Sequence, residues 1–226
     1  MKLDILSAGA AQGVVAALAA EADIEIAGSF GAVGAIKEKF LGGAPCDIVI
    51  LTQAQIAELA TQRLVLPGSC ANLGKVLTGI AMRSGDILPD VSNEGALRAA
   101  LLAADAIYFP DAQKATAGIH FTKVLDALGI ISKVAARLRT YPNGATAMRE
   151  LARASGPAIG CTQVTEILNT PGVELVAPLP KAFELATVYS AAVSARAANT
   201  EAARRFSALL TTEASRALRA KSGFGL

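Results

Sequence analysis

Small, uncharged residues recur at four places where an apolar run gives way to a helical pattern. These are Leu6-Ser7-Ala8-Gly9-Ala10-Ala11-Gln12, Ser29-Phe30-Gly31-Ala32-Val33-Gly34, Lys114-Ala115-Thr116-Ala117-Gly118-Ile119-His120 and Tyr141-Pro142-Asn143-Gly144. A helix start presents unpaired N–H groups and the positive end of the macrodipole. Side chains as small as these let a ligand approach that backbone closely. Several such ends aimed at one place would bind an anion or a strongly polar group without a Lys or Arg. Ser7, Gly9, Ala10, Phe30, Gly31, Ala32, Thr116, Ala117, Gly118, Pro142 and Asn143 are the candidate contacts, and Thr52 can add a neutral hydrogen bond. Taken singly, Ser, Thr and Asn here read as ordinary N-caps. Their co-occurrence at four junctions is what points to a ligand.

His120, the single histidine, follows the third junction. It reads as a structural or capping residue, or as a ligand contact or acid–base group, since imidazole changes charge near neutral pH. In the second role, together with Glu166, it would move a proton beside a carboxylate-stabilised carbanion.

Other chemistries find no support. Gly28, Gly31 and Gly34 are spaced GxxGxxG, which misses the dinucleotide fingerprint, and no GxxxxGK[ST] phosphate loop is present. Without GxSxG, a hydrolase triad of the usual layout is not indicated. Cys46, Cys70 and Cys161 are odd in number and far apart, so they suggest buried thiols rather than disulfides or zinc ligands. No metal and no cofactor are expected.

Composition sets the outer limits. The chain has 226 residues, 53% hydrophobic but only 4% aromatic, so its core is aliphatic and alanine-rich. A net charge of +2 gives no case for nucleic acid. Arg204, Arg205, Arg216, Arg219 and Lys221 are spaced to suit the solvated face of a helix. No run approaches the roughly 20 apolar residues of a membrane span, so no membrane insertion is expected. As written, the chain opens directly into a strand. That reads as a cytoplasmic protein, or as a periplasmic one if a signal was removed.

Positioning these residues falls to alternating elements. Strand-length apolar runs occur at Leu3–Leu6, Asp47–Leu51, Asp105–Phe109, Ala158–Cys161 and Val173–Val176. Between them lie helical patterns such as Val14, Val15, Leu18, then Val33, Ile36, Phe40, and later Phe121, Val124, Leu125, Leu128. Strands alternating with helices predict an α/β fold with sheets covered on both faces. In open sheets of this kind ligands sit at the carboxyl ends of the strands, where the four junctions fall. Two extended runs, Val76–Ala81 and Ala186–Val193, read as crossings. They would divide the chain into a discontinuous lobe, residues 1–78 plus 190–226, and an inserted lobe, residues 79–189.

Four ordered segments carry a family resemblance: Ser29-Phe30-Gly31-Ala32-Val33-Gly34-Ala35-Ile36, Gly43-Ala44-Pro45-Cys46-Asp47-Ile48-Val49-Ile50, Thr116-Ala117-Gly118-Ile119-His120 and Gly223-Phe224-Gly225. With them the chain resembles the molybdate/tungstate-binding proteins, which are type II periplasmic solute-binding proteins of ABC importers. The resemblance implies two α/β lobes with mixed sheets flanked by helices, a two-stranded hinge, a ligand in the interlobe cleft and an importer complex as partner. It also implies serine hydroxyls at the first two junctions, an alanine amide at the third and a tyrosine further on as oxyanion contacts. This sequence has Ala10 and Ala32 at the serine positions, keeps Ala117, and has Gln163 in place of the tyrosine.

Those departures move the expected ligand. Molybdate would lose three donors, and each buried group left unpaired costs roughly 1–3 kcal/mol. Alanine leaves more room, and Gln163 both donates and accepts. The preferred ligand is a small organic carboxylate, its carbon skeleton against Phe30 and Ala32. The alternative is an enzyme on the same scaffold, an aconitate-type isomerase using His120 in proton transfer, because relatives of the molybdate binders include such isomerases.

Overall fold

A computed structural model describes residues 2–225. The chain forms two compact units, Met1–Val76 with Thr187–Leu226, and Leu77–Ala186. It passes between them twice, within the long strand β4 (Ala71–Arg83) and at the start of β9 (Ala186–Val193).

In the first unit, β1 (Lys2–Ala8) is the central strand, with β2 (Glu25–Gly31) and β3 (Ile48–Thr52) parallel to it on either side. β9 pairs antiparallel with β3, and the strand order runs β2-β1-β3-β9-β4. Each parallel strand feeds a helix: α1 (Gln12–Glu21), α2 (Val33–Leu41) and α3 (Gln53–Thr61). Leu3, Ile5, Ile48 and Ile50 from the strands and Val15, Phe40 and Leu59 from the helices are fully buried. α9 (Thr200–Thr211) and α10 (Arg216–Lys221) close the chain.

In the second unit the order is β4-β7-β5-β6, with β8 (Val173–Pro178) antiparallel along β4. β5 (Ala106–Pro110) runs parallel to both β6 (Leu138–Tyr141) and β7 (Ala158–Gln163). The sheet is covered on both faces, and β7 shows how. Ile159 and Cys161 enter one core with Leu97 and Leu101 of α4 (Glu94–Ala103) and Phe121, Val124 and Leu125 of α5 (Thr116–Ala127). Ala158 enters the other, with Met148 and Leu151 of α7 (Gly144–Ala152) and Ile167 of α8 (Val164–Leu168). Gly160 is required on that second face, since a Cβ there would fall 2.7 Å from both Leu151 Cδ2 and Met148 Cε. The short helix α6 (Ile131–Val134) leads into β6.

The alternation seen in the sequence is therefore the α/β architecture of the molecule. Three local readings need correction. His120 does not follow the third junction but lies within the helix that starts there: α5 begins at Thr116, which puts His120 in its second turn. Arg219 is not on a solvated face: it is buried, and donates to the carbonyls of Leu73 and Thr212 and to Ser215 Oγ. Three carbonyl and hydroxyl acceptors stand in for water there, which charge periodicity cannot reveal. Cys46 and Cys161 are buried as expected, but Cys70 is exposed. Among the described residues no helix is long and apolar enough to cross a membrane. No group of three or more His, Cys, Asp or Glu among them comes together to hold a metal ion.

Candidate functional site

Parallel pairing brings the first unit's helix starts to one edge of its sheet. Ser7 lies opposite Phe30 and Ala8 opposite Gly31, while Thr52 stands two residues beyond the Ser7–Ile50 pair. Gly9 and Ala10 form a 3-10 turn, Gly9–Ala11, that leads into α1. The starts of α1 and α2 share a feature: the N-cap residues are Ala11 and Ala32, and neither start has a side-chain cap. Ser7 does not supply one, because its buried hydroxyl donates to the Ala8 carbonyl at 2.9 Å. An alanine N-cap forgoes about 1 kcal/mol relative to Ser, Asp or Asn. Ala10, Ala11 and Ala32 are nevertheless buried. Amides lying there without side-chain partners are what an anion would use. Phe30 and Gly31 are half-buried beside them.

α3 differs. Thr52 accepts from the Gln55 amide, and Gln55 reaches back to Thr52 in a complete capping box. The Thr52 hydroxyl also donates to Gln55 Oε1 at 3.0 Å. Its side chain serves its own helix.

The second unit gathers its candidates along the carboxyl ends of β5, β6 and β7. Pro110 pairs with Tyr141, and Tyr108 with Gly160. α5 starts without a side-chain cap, from Ala115, with Thr116 at its first position and Ala117 buried next to it. Gly118 permits this close seat on β5, since a Cβ would collide with the carbonyls of Pro110 and Asp111. One turn on, half-buried His120 holds the Phe183 carbonyl through Nε2 at 2.7 Å. A carbonyl only accepts, so Nε2 carries a proton and Nδ1 is the nitrogen left for other chemistry.

Beyond β6, Pro142 is exposed and Asn143 caps α7, its Oδ1 accepting from the Thr146 amide at 2.9 Å and the Thr146 hydroxyl at 3.0 Å. The remaining amides of that start are also engaged. Glu166, 8% exposed, accepts from the Thr162 hydroxyl at 2.6 Å, and the nearby backbone amides of Ala145, Gln163 and Gly144 favour its charged form. One carboxylate thus serves the starts of both α7 and α8. Burial pushes its carboxyl above the ordinary glutamate range, against the opposing pull of those four donors. Gly144 is obligatory, because a Cβ there would overlap Glu166 Oε2 and Thr162 Oγ1. Sequence reading paired Glu166 with His120 as proton carriers; the structure gives each its own hydrogen-bonding task.

Gln163 ends β7 and is 3% exposed, yet neither Oε1 nor Nε2 has a hydrogen-bond partner. Thr78 stands opposite it on β4, and Thr165 follows in the first turn of α8; both are buried and both hydroxyls are likewise unpartnered. Buried polar groups are nearly always paired, so such a concentration at one strand end is a strong pointer to a ligand-contacting corner. Thr78 and Thr165 were not apparent from sequence, since a buried orphan hydroxyl has no sequence signature.

Known proteins now place the chain. The family model for bacterial extracellular solute-binding proteins matches residues 3–225, and the chain belongs to that family. It is similar to the periplasmic molybdate-binding protein of Azotobacter vinelandii, with a TM-score of 0.77, 19% identity and 99% of each chain covered. It is also similar to the sulfate-binding protein of Mycobacterium tuberculosis, with a TM-score of 0.72, 18% identity, and coverage of 99% of this chain and 86% of that one. An aconitate isomerase from a Pseudomonas species is 26% identical over 215 residues, 89% of this chain and 79% of that protein. The type II periplasmic solute-binding fold implied by the sequence resemblance is thereby shown.

Proposed function

We propose that this solute-binding protein holds a small organic carboxylate at helix starts on the carboxyl ends of its strands, and passes it to an ABC importer outside the cytoplasmic membrane. The passages of β4 and β9 between units are taken as the hinge joining lobes 1–78 plus 190–226 and 79–189. The observation that carries the reading is the buried, side-chain-free starts of α1, α2 and α5, each with alanine at the N-cap. Backbone amides there supply the positive end that a carboxylate needs. Ala10, Ala32 and Gln163 replace the hydroxyls and phenol expected for molybdate, which therefore binds weakly.

A second reading, an isomerase acting on such a carboxylate, is favoured by the similarity to the aconitate isomerase. His120 would be its proton carrier, through Nδ1. Thermal denaturation against molybdate, sulfate and a panel of mono-, di- and tricarboxylates separates these readings. A carboxylate is expected to raise the midpoint, by mass action on the folded state. Proton NMR of the same mixtures then shows whether it is consumed. Sub-micromolar molybdate binding by calorimetry would overturn the carboxylate assignment.

A further inference from the structure

The corner where Gln163 ends β7 opposite Thr78 of β4 has a chemistry of its own. Gln163 and Thr78 lie on the same sheet face as Cys161 and Ile80, the face that carries α4 and α5, whereas Glu166 and the α7 start lie on the other. What remains unpartnered is neutral: the Gln163 amide and the hydroxyls of Thr78 and Thr165, each on a side chain at least nine-tenths buried. Gln163 Nε2 only donates, Gln163 Oε1 only accepts, and the threonine hydroxyls do either. A carboxylate oxygen has no proton to give Oε1. An alcohol satisfies both sides at once.

We propose that this corner is a hydroxyl-recognising subsite, in which Gln163, Thr78 and Thr165 receive an alcohol of the ligand. The protein's ligand is then a hydroxycarboxylate. This rests on the carboxylate reading above and narrows it.

Matched ligands that differ by one hydroxyl test the subsite on the unaltered protein. Calorimetry compares lactate with propionate, malate with succinate, and citrate with propane-1,2,3-tricarboxylate. In the pair that fits the site, the hydroxylated member is expected to bind roughly tenfold or more tightly, the usual scale for a buried polar group left unpaired. Gln163→Leu should collapse that ratio by weakening the hydroxylated member alone. Equal affinities within every pair that binds would overturn the hydroxyl subsite and leave the carboxylate reading standing. Failure of all six compounds to bind would overturn both.

Discussion

The helix starts of α1 and α2 in the first unit and that of α7 in the second solve one problem in opposite ways. All three follow parallel strands at the sheet's carboxyl edge, α1 after a 3-10 turn whose Gly9 carbonyl takes the Gln12 amide. At α1 and α2 the N-cap is alanine and no side chain answers the amides. At α7 an asparagine cap and a buried glutamate answer them from within the chain. A fold that caps a helix so thoroughly in one unit, yet leaves alanine at two buried starts in the other, forgoes local stability at those two. The difference teaches that a helix start is a binding candidate only when the protein has not already supplied the anion.

The largest effect is expected where the internal anion is most tightly seated. Gly144→Ala should destabilise the protein by about 3 kcal/mol, because the new methyl must displace Glu166 Oε2 and Thr162 Oγ1 from a packed site. Urea unfolding measures it. A change near zero would mean the carboxylate does not sit at the α7 start, and the contrast with α1 and α2 would fail.

A smaller effect comes from making the first unit resemble the second. Ala32 has the extended backbone of an N-cap, with φ −60° and ψ 136°. Ala32→Asp should therefore cap α2 and stabilise the ligand-free protein by about 1 kcal/mol. The same carboxylate should abolish detectable carboxylate binding in calorimetry, by filling the amides and repelling the ligand. Gain of stability with binding intact would show that α2 is not part of the ligand site.

The subtlest effect is in pH dependence. Burial raises the folded-state pKa of Glu166 above its unfolded value, so the folded state binds that proton more tightly. The contribution of Glu166 to stability is then fully present below the ordinary carboxylate range of about 4.3. It is lost as pH rises through the raised folded value. Glu166→Gln carries no such term. Subtracting its unfolding free energies from those of the unaltered protein, across pH 4 to 7, should give a difference that turns against the unaltered protein as pH rises. A flat difference, or one of opposite slope, would place the carboxyl's balance on the side of its four donors.

His120 shows the smaller scale of an ordinary tether. His120→Ala removes one hydrogen bond to the Phe183 carbonyl and should cost about 1 kcal/mol in unfolding experiments. If the protein is an isomerase, the same change abolishes turnover while most ligand affinity survives.

Much of this was legible in the sequence. The alternation of apolar runs with helical spacing fixes the α/β class, because strand and helix periods differ and parallel strands need crossovers. The junctions with small residues, from Ser7–Ala10 to Pro142–Gly144, are visible as composition, and each falls at a strand's carboxyl end in the structure. Which of those junctions remains open was decided by tertiary structure alone. Glu166 lies 22 residues beyond Gly144, and nothing in its neighbourhood says that its carboxylate reaches back to another helix. Taken singly, Asn143 and Thr52 read as caps, and only their hydrogen bonds show that the cap is what each side chain serves. The orphan hydroxyls of Thr78 and Thr165 become meaningful only once β4 lies against β7 and water is excluded from both. Local propensity and periodicity are properties of short segments, and a sequence states them directly. Whether a polar group is satisfied depends on partners brought from far along the chain, and only the packed fold specifies those.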